Sequence, residues 1–84
     1  MSSKLKRLEK IKRNPKGVKF REIVSLLKAF GVVLERVSGS HYIFTHPAWD
    51  GILNIQNQGG EAKPYQIRQA IKAIEEVQKC TDIP

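Results

Sequence analysis

The 84-residue chain contains one cysteine, Cys80. A single thiol excludes an intramolecular disulfide and lacks the companions that a cysteine-based zinc site needs. It stands at the end of an expected helix with no histidine near it in sequence, so local packing rather than nucleophilic attack is its default role. No apolar run approaches the roughly 20 residues that a membrane helix requires. The basic N-terminal stretch from Lys4 to Arg21 lacks the continuous apolar segment and small-residue cleavage site of a secretory signal, and a cytoplasmic location is expected. Gly59-Gly60 lacks the strand-glycine-helix spacing of a dinucleotide fingerprint, there is no P-loop lysine motif, and the pair reads as a flexible loop. Acidic residues are few, 8 against 15 lysines and arginines. Asp50 and Asp82 are isolated, and Glu75 and Glu76 are adjacent, so they point differently on a helix. Without a His-x-x-x-His pair or a carboxylate cluster, neither a metal nor another cofactor is expected.

What the chain does have is positive charge, +7 in 84 residues with a pI near 9.9. An excess of this size favours a polyanionic partner, with nucleic acid first, although charge also serves solubility. A membrane surface is a poorer match, because the basic leader carries only Leu5, Leu8 and Ile11 as an apolar stripe. The length allows one compact domain with a thin core, which argues against a deep catalytic cavity.

Along the chain, Leu5, Leu8 and Ile11 recur at helical spacing among Lys4, Lys6, Arg7, Lys10, Lys12 and Arg13, predicting a short basic helix over residues 1–13. Asn14-Pro15-Lys16-Gly17 ends it. Phe20, Ile23, Val24, Leu27 and Phe30 share one face of a second helix, stopped at Gly31. Val32 to Val37 and Ser40 to Thr45 read as strands around a Ser38-Gly39 turn. His46 to Gly51, with proline and Asp-Gly signals, reads as a second turn, and Ile52 to Gln56 as a third strand. After a polar loop, Pro64 suits a first helical position, and Ile67, Ala70, Ile71, Ile74 and Val77 line a last helix ending near Lys79. Both core helices must bury their stripes against the same face of an antiparallel meander. The expected class is α+β, with the layout of a double-stranded-RNA-binding-like fold: helix, three-stranded antiparallel sheet, helix, preceded by a basic helical arm. The expected division is an arm over 1–17, a compact unit over 18–80 and a tail over 81–84.

His41 is the leading candidate for chemistry, because imidazole titrates near neutrality and can both take and give a proton. If Tyr42 and Phe44 face the helices, alternation puts His41 on the open side of the sheet. A lone histidine on a strand is more often an ordinary surface residue. Ser40 suits a phosphate contact or the orientation of His41, against the plain need for a small residue after a tight turn. Lys63 and Arg68 flank the start of the last helix, where a phosphate is attracted by the helix end as well as by the cations, against a solvated helix face. Tyr65 offers a ring for stacking on a base, although such a tyrosine more often closes the edge of a small core. His46, on the opposite strand face from His41, reads as a turn or surface residue, and Trp49 as a loop aromatic covering the end of the core.

The stretch from Phe20-Arg21-Glu22-Ile23 through Leu27 and Gly31, then Gly39-Ser40-His41-Tyr42-Ile43-Phe44 and His46-Pro47, resembles the core of HicA-family toxins. Leu53-Asn54-Ile55-Gln56 and Lys63-Pro64-Tyr65-Gln66-Ile67-Arg68-Gln69 are similar to a branch of that family, which also carries a basic leader ending in Asn-Pro-Lys-Gly. The resemblance implies an RNA-cleaving toxin, an mRNA interferase with a double-stranded-RNA-binding-like fold, no cofactor, and a HicB-type antitoxin as partner. Its signature histidine falls on His41. Many members continue the third strand into a proline and a second histidine; here the corresponding stretch is Ile55-Gln56-Asn57-Gln58, which leaves a two-histidine mechanism without its second group.

The expectation is therefore a toxin endoribonuclease in which His41 acts as acid or base, Ser40, Lys63, Tyr65 and Arg68 contact RNA, and a cognate antitoxin neutralises the activity. The competing expectation, from a different class, is a non-catalytic RNA-binding module of the same fold.

Overall fold

A computed structural model describes residues 3–81. Met1, Ser2 and residues 82–84, which include Asp82 and most of the expected tail, lie outside the described residues. The elements are α1 (Ser3–Arg13), α2 (Phe20–Ala29), β1 (Val33–Ser38), β2 (His41–His46), β3 (Trp49–Gln56) and α3 (Pro64–Thr81). The strands form an antiparallel sheet in the order β1-β2-β3, so the α+β arrangement and the meander expected from the sequence are both present. No helix among the described residues is long and apolar enough to cross a membrane.

Local chemistry accounts for the helix ends. The Glu22 carboxylate accepts the Lys19 N–H at 3.0 Å, occupying a backbone donor that the start of α2 leaves unpaired. At the other end, Gly31 N–H donates to the Lys28 carbonyl and Val32 N–H reaches back to Leu27, the paired closure of a Schellman motif. The Lys63 carbonyl accepts from the N–H groups of Gln66 and Ile67 and so opens α3.

The helices cover one face of the sheet. Ile23, Leu26, Leu27, Phe44, Ile55, Ile67 and Ile74 are fully buried between the two layers. Each contributes about 1.5–3 kcal/mol relative to exposure, so this layer dominates the stability of the domain. Tyr42 lies at its margin, its ring 4.6 Å from that of Phe20. Helix α1 joins the same core through Leu8 and Ile11, packing against α2 and α3. Lys12 donates to Glu75 of α3 at 2.7 Å. That hydrogen bond, and then the charge of Glu75, hold the Lys12 ammonium above its ordinary range. The pair therefore favours the docked helix at neutral pH, and this contribution is lost as alkaline pH passes the raised value. Lys4 adds a cation–π contact, 5.0 Å from the centre of the Phe30 ring.

The region from His46 to Gly51 departs from the expected long turn. His46 pairs with Trp49 across the two-residue connection Pro47-Ala48, and β3 begins at Trp49 rather than Ile52. The Asp-Gly pair does not turn the chain; it lies in a bulged stretch between the Phe44–Leu53 and His46–Trp49 pairs. Gly51 is required there for space, because a Cβ would stand 2.1 Å from the Trp49 ring. That ring packs on the core, and its Nε1 donates to Glu76 at 2.9 Å, fastening the start of β3 to α3. Trp49 thus closes the end of the core from a strand, not from a loop.

Replacing Leu8, 4% exposed, tests whether α1 is an integral part of the fold. Leu8→Ala should lower unfolding stability by about 2–5 kcal/mol in a denaturant titration. A loss below the scatter of surface substitutions would show that α1 rests on the domain without supporting it.

Candidate functional site

The face of the sheet turned away from the helices carries side chains in cross-strand rows. Ser38, His41 and Gln56 are register partners in one row, and Arg36, Ile43 and Asn54 in the next. Partners in register project to the same side, so each row is a line of neighbouring groups. His41 is exposed, as alternation from the buried Phe44 requires.

The turn between β1 and β2 sets this geometry. Gly39 and Ser40 form a two-residue connection between the paired Ser38 and His41, and Gly39 has φ +60° while Ser40 does not enter the positive region. That combination is the hairpin turn whose first central position favours glycine. Nothing lies within 4 Å of a Cβ built at Gly39, so the constraint on this residue is conformational and not steric. The Gly39-Ser40-His41 order is thereby explained: the glycine makes the turn, the serine closes it, and the histidine is the first strand residue beyond it.

Four hydrogen bonds order the histidine's surroundings. His41 Nδ1 lies 3.2 Å from Asn54 Oδ1, across the diagonal between neighbouring rows. In the tautomer with its proton on Nδ1, His41 donates to Asn54 and keeps the Nε2 lone pair as a base. Gln56 donates through Nε2 to Ser40 Oγ at 3.3 Å, and its backbone N–H donates to Gln66 Oε1 at 3.0 Å. Asn57 N–H donates to the Ser40 carbonyl at 2.8 Å. Gln66 is a buried polar residue, 7% exposed, and this bond satisfies it while joining the first turn of α3 to the end of β3.

Among the residues singled out by sequence, Ser40 and His41 are adjacent and linked to Gln56 and Asn54. Lys63 and Tyr65 sit at the start of α3, which Gln66 ties to that same Gln56. Tyr65 is 52% exposed, so it does not close the core edge as an amphipathic helix would suggest. Arg68 lies one turn further on the exposed side of α3; no hydrogen bond among the described residues connects it, Lys63 or Tyr65 to His41. His46 is turned the other way. Its Nδ1 accepts the Ala48 N–H at 3.0 Å, and its Nε2 approaches the space beside Gly31, so it holds the β2–β3 turn. No group of three or more His, Cys, Asp or Glu residues stands together among the described residues.

A groove of about 430 Å³ adjoins this surface between β3 and α3, walled by Trp49, Ile52, Asn54, Gln69 and Lys72. Asn54, Gln56, Gln66 and Lys72 were not singled out from the sequence. Asn54 shares the outward parity of His41, but the diagonal that brings the two together is a contact between strands, which spacing within one strand does not announce.

Asn54 stands where it can orient the His41 ring, and this is measurable without any substrate. Asn54→Ala should shift the His41 imidazole from one dominant neutral tautomer to a mixture, read from the ring nitrogen chemical shifts by NMR, with the melting temperature little changed. Unaltered ring shifts would remove Asn54 from the site.

The segment bearing this turn, sheet face and helix start is matched by a family model described as HicA toxin of bacterial toxin-antitoxin, over residues 20–75, well over half of the chain. No curated protein and no solved structure matches. With the match running from the start of α2 well into α3, through the whole sheet and the Gly39-Ser40-His41 turn, the chain belongs to the HicA toxin family of bacterial toxin-antitoxin systems.

Proposed function

We propose that this toxin is an endoribonuclease, an mRNA interferase that uses His41 for acid–base catalysis without a metal ion, and that a HicB-type antitoxin neutralises it. The observation that carries the reading is His41 itself: an exposed imidazole on the open sheet face, with Nδ1 beside the Asn54 carbonyl oxygen and Nε2 left to exchange protons. In this reading residues 18–80 form the cleaving unit. Lys63 and Arg68 hold phosphate at the start of α3, Tyr65 stacks on a base, and Ser40 contacts the backbone of the strand from the turn. The groove along β3 receives the neighbouring nucleotide, with Lys72 on its wall.

The chemistry follows from a single base and nearby cations. His41 Nε2 takes the proton of a ribose 2'-hydroxyl, whose oxygen attacks the adjacent phosphorus. The new bond joins the 2'-oxygen to phosphorus, and the bond from phosphorus to the 5'-oxygen of the next nucleotide breaks. The leaving oxygen receives a proton from water or from the imidazolium. Proton transfer of this kind contributes about 10²- to 10⁴-fold, and each positioned donor on the developing phosphorane about 10²- to 10³-fold.

His41→Ala should lower cleavage of single-stranded RNA by at least about 10²-fold and abolish growth arrest on induced expression, while the folded protein still binds RNA. Cleavage by the wild type should survive excess chelator, and a substrate with a single 2'-deoxyribose at the scissile position should resist cutting. Metal-restored activity after chelation would overturn the metal-free route. A His41→Ala protein that still arrests growth would point instead to the non-catalytic binding module.

The antitoxin is proposed to cover the same face. Val33 and Ile52, 52% and 70% exposed, give the open sheet an apolar margin beside the polar rows. Adding purified HicB-type partner should suppress cleavage, and Ile52→Asp should speed dissociation of the complex. A complex that still cuts RNA would overturn occlusion.

A further inference from the structure

Helix α1, the Asn14–Gly17 turn and α2 enclose a cleft of about 580 Å³ on the helical side of the sheet, away from the His41 face. Arg7, Lys10, Lys16 and Arg21 line it against one carboxylate, Glu22. That carboxylate is already engaged by the Lys19 N–H at the start of α2. Arg7 is half-buried and donates to Ser25 Oγ at 2.8 Å, a neutral partner that orients the guanidinium without cancelling its charge. Lys10, Lys16 and Arg21 are exposed and have no salt-bridge or side-chain hydrogen-bond partner among the described residues.

Three other cations of this region are engaged. Lys12 is paired with Glu75, Lys19 with Glu61, and Lys4 sits over the Phe30 ring. Two carboxylates thus neutralise Lys12 and Lys19 beside the cleft, and the cations lining it are left to repel one another. A bound anion relieves such repulsion. The volume lies within the range of small-ligand clefts, about 300–1,000 Å³, and Ile11 and Val18 supply an apolar floor beneath the charged rim. A planar guanidinium, mobile ammonium groups and the Asn14 amide form a donor set suited to phosphodiester oxygens.

We propose that the α1–α2 cleft is a phosphate-binding exosite for single-stranded RNA, separate from the His41 surface. This rests on the RNA reading given above. The exosite adds affinity without touching the reacting bond, and α1, which precedes the family-matched residues, builds one of its walls.

The test uses the full chain carrying His41→Ala, so that RNA is bound and not cut, with fluorescence anisotropy of a labelled single-stranded RNA over a salt series. Adding Lys10→Ala, Lys16→Ala and Arg21→Ala should reduce the slope of log affinity against log salt by about 2, at about 0.7 for each phosphate no longer neutralised. Lys6→Ala with Arg13→Ala, exposed α1 cations outside the cleft, should leave the slope within error. If the triple variant melts early, Lys10→Gln alone should lower the slope by about 0.7. Equal reductions per charge from both sets of variants would mean diffuse attraction and overturn the exosite, as would an unchanged slope. A variant that keeps its RNA slope but has weakened affinity for a poly-glutamate peptide would identify a docking site for an acidic protein and overturn the RNA proposal. If the His41→Ala parent shows no salt-dependent RNA binding at all, the RNA reading falls and the exosite falls with it.

Discussion

A chain of 84 residues has apolar side chains enough to cover one face of a three-stranded sheet and not both. That limit governs the rest of the molecule. The large residues of alternate strand positions, Phe44, Leu53 and Ile55, go under α2 and α3. The residues between them face outward, on a surface that no other element among the described residues covers. His41 and Asn54 therefore need no pocket to be accessible; their exposure is the other half of the alternation that buries the core. The same limit makes the docking of Leu8 and Ile11 valuable, since they add to a core that is otherwise thin.

An open sheet face fixes positions but does not by itself fix side-chain directions. Here polar cross-links supply the order. Gln56 connects the β1–β2 turn with α3 through Ser40 and Gln66, while Asn54 meets the imidazole. The end of β3 and the two residues after it, Gln56, Asn57 and Gln58, are amides. An amide cannot replace an acid–base group at neutral pH, but it can orient one. The arrangement is accordingly a single-histidine surface in which neighbouring side chains hold and do not titrate.

The sequence made the elements and the open position of His41 legible because both depend on strong, local signals: helical periodicity around Ile23 and Leu27, and alternation around Phe44. Its misreading was equally physical. Proline and Asp-Gly between His46 and Gly51 are turn residues by composition, yet the turn is satisfied within Pro47-Ala48, and the glycine is needed for the Trp49 ring. The late start of β3 left Asn54 inside the expected strand; the diagonal to His41 was hidden because it is a contact between strands, which the pattern within one strand does not announce. Gln66 was hidden for a different reason: its bond is to a backbone N–H of β3, a long-range contact that no spacing within α3 announces. Tyr65 illustrates the reverse error, where an aromatic on an amphipathic helix points outward because Gln66 and Ile67 take the inward directions.

Charge is distributed by the same packing logic. Burying the inner faces of α2 and α3 leaves α1 to dock through a narrow stripe, so most of its cations remain on the surface and only some meet carboxylates. Lys12 meets Glu75 because Leu8 and Ile11 set the helix against α3; Arg7 meets only a hydroxyl because the same docking turns it toward α2. An exposed ion pair is weakened by solvent screening, so the hydrophobic stripe, and not the ion pair, decides where α1 lies. The positive field of this toxin is then a consequence of which cations the docked helix leaves without acids, and it is concentrated on α1 and the start of α2 while the exposed His41 imidazole stands on the sheet. The unpaired cations and the exposed histidine are thus carried by different layers of one small fold.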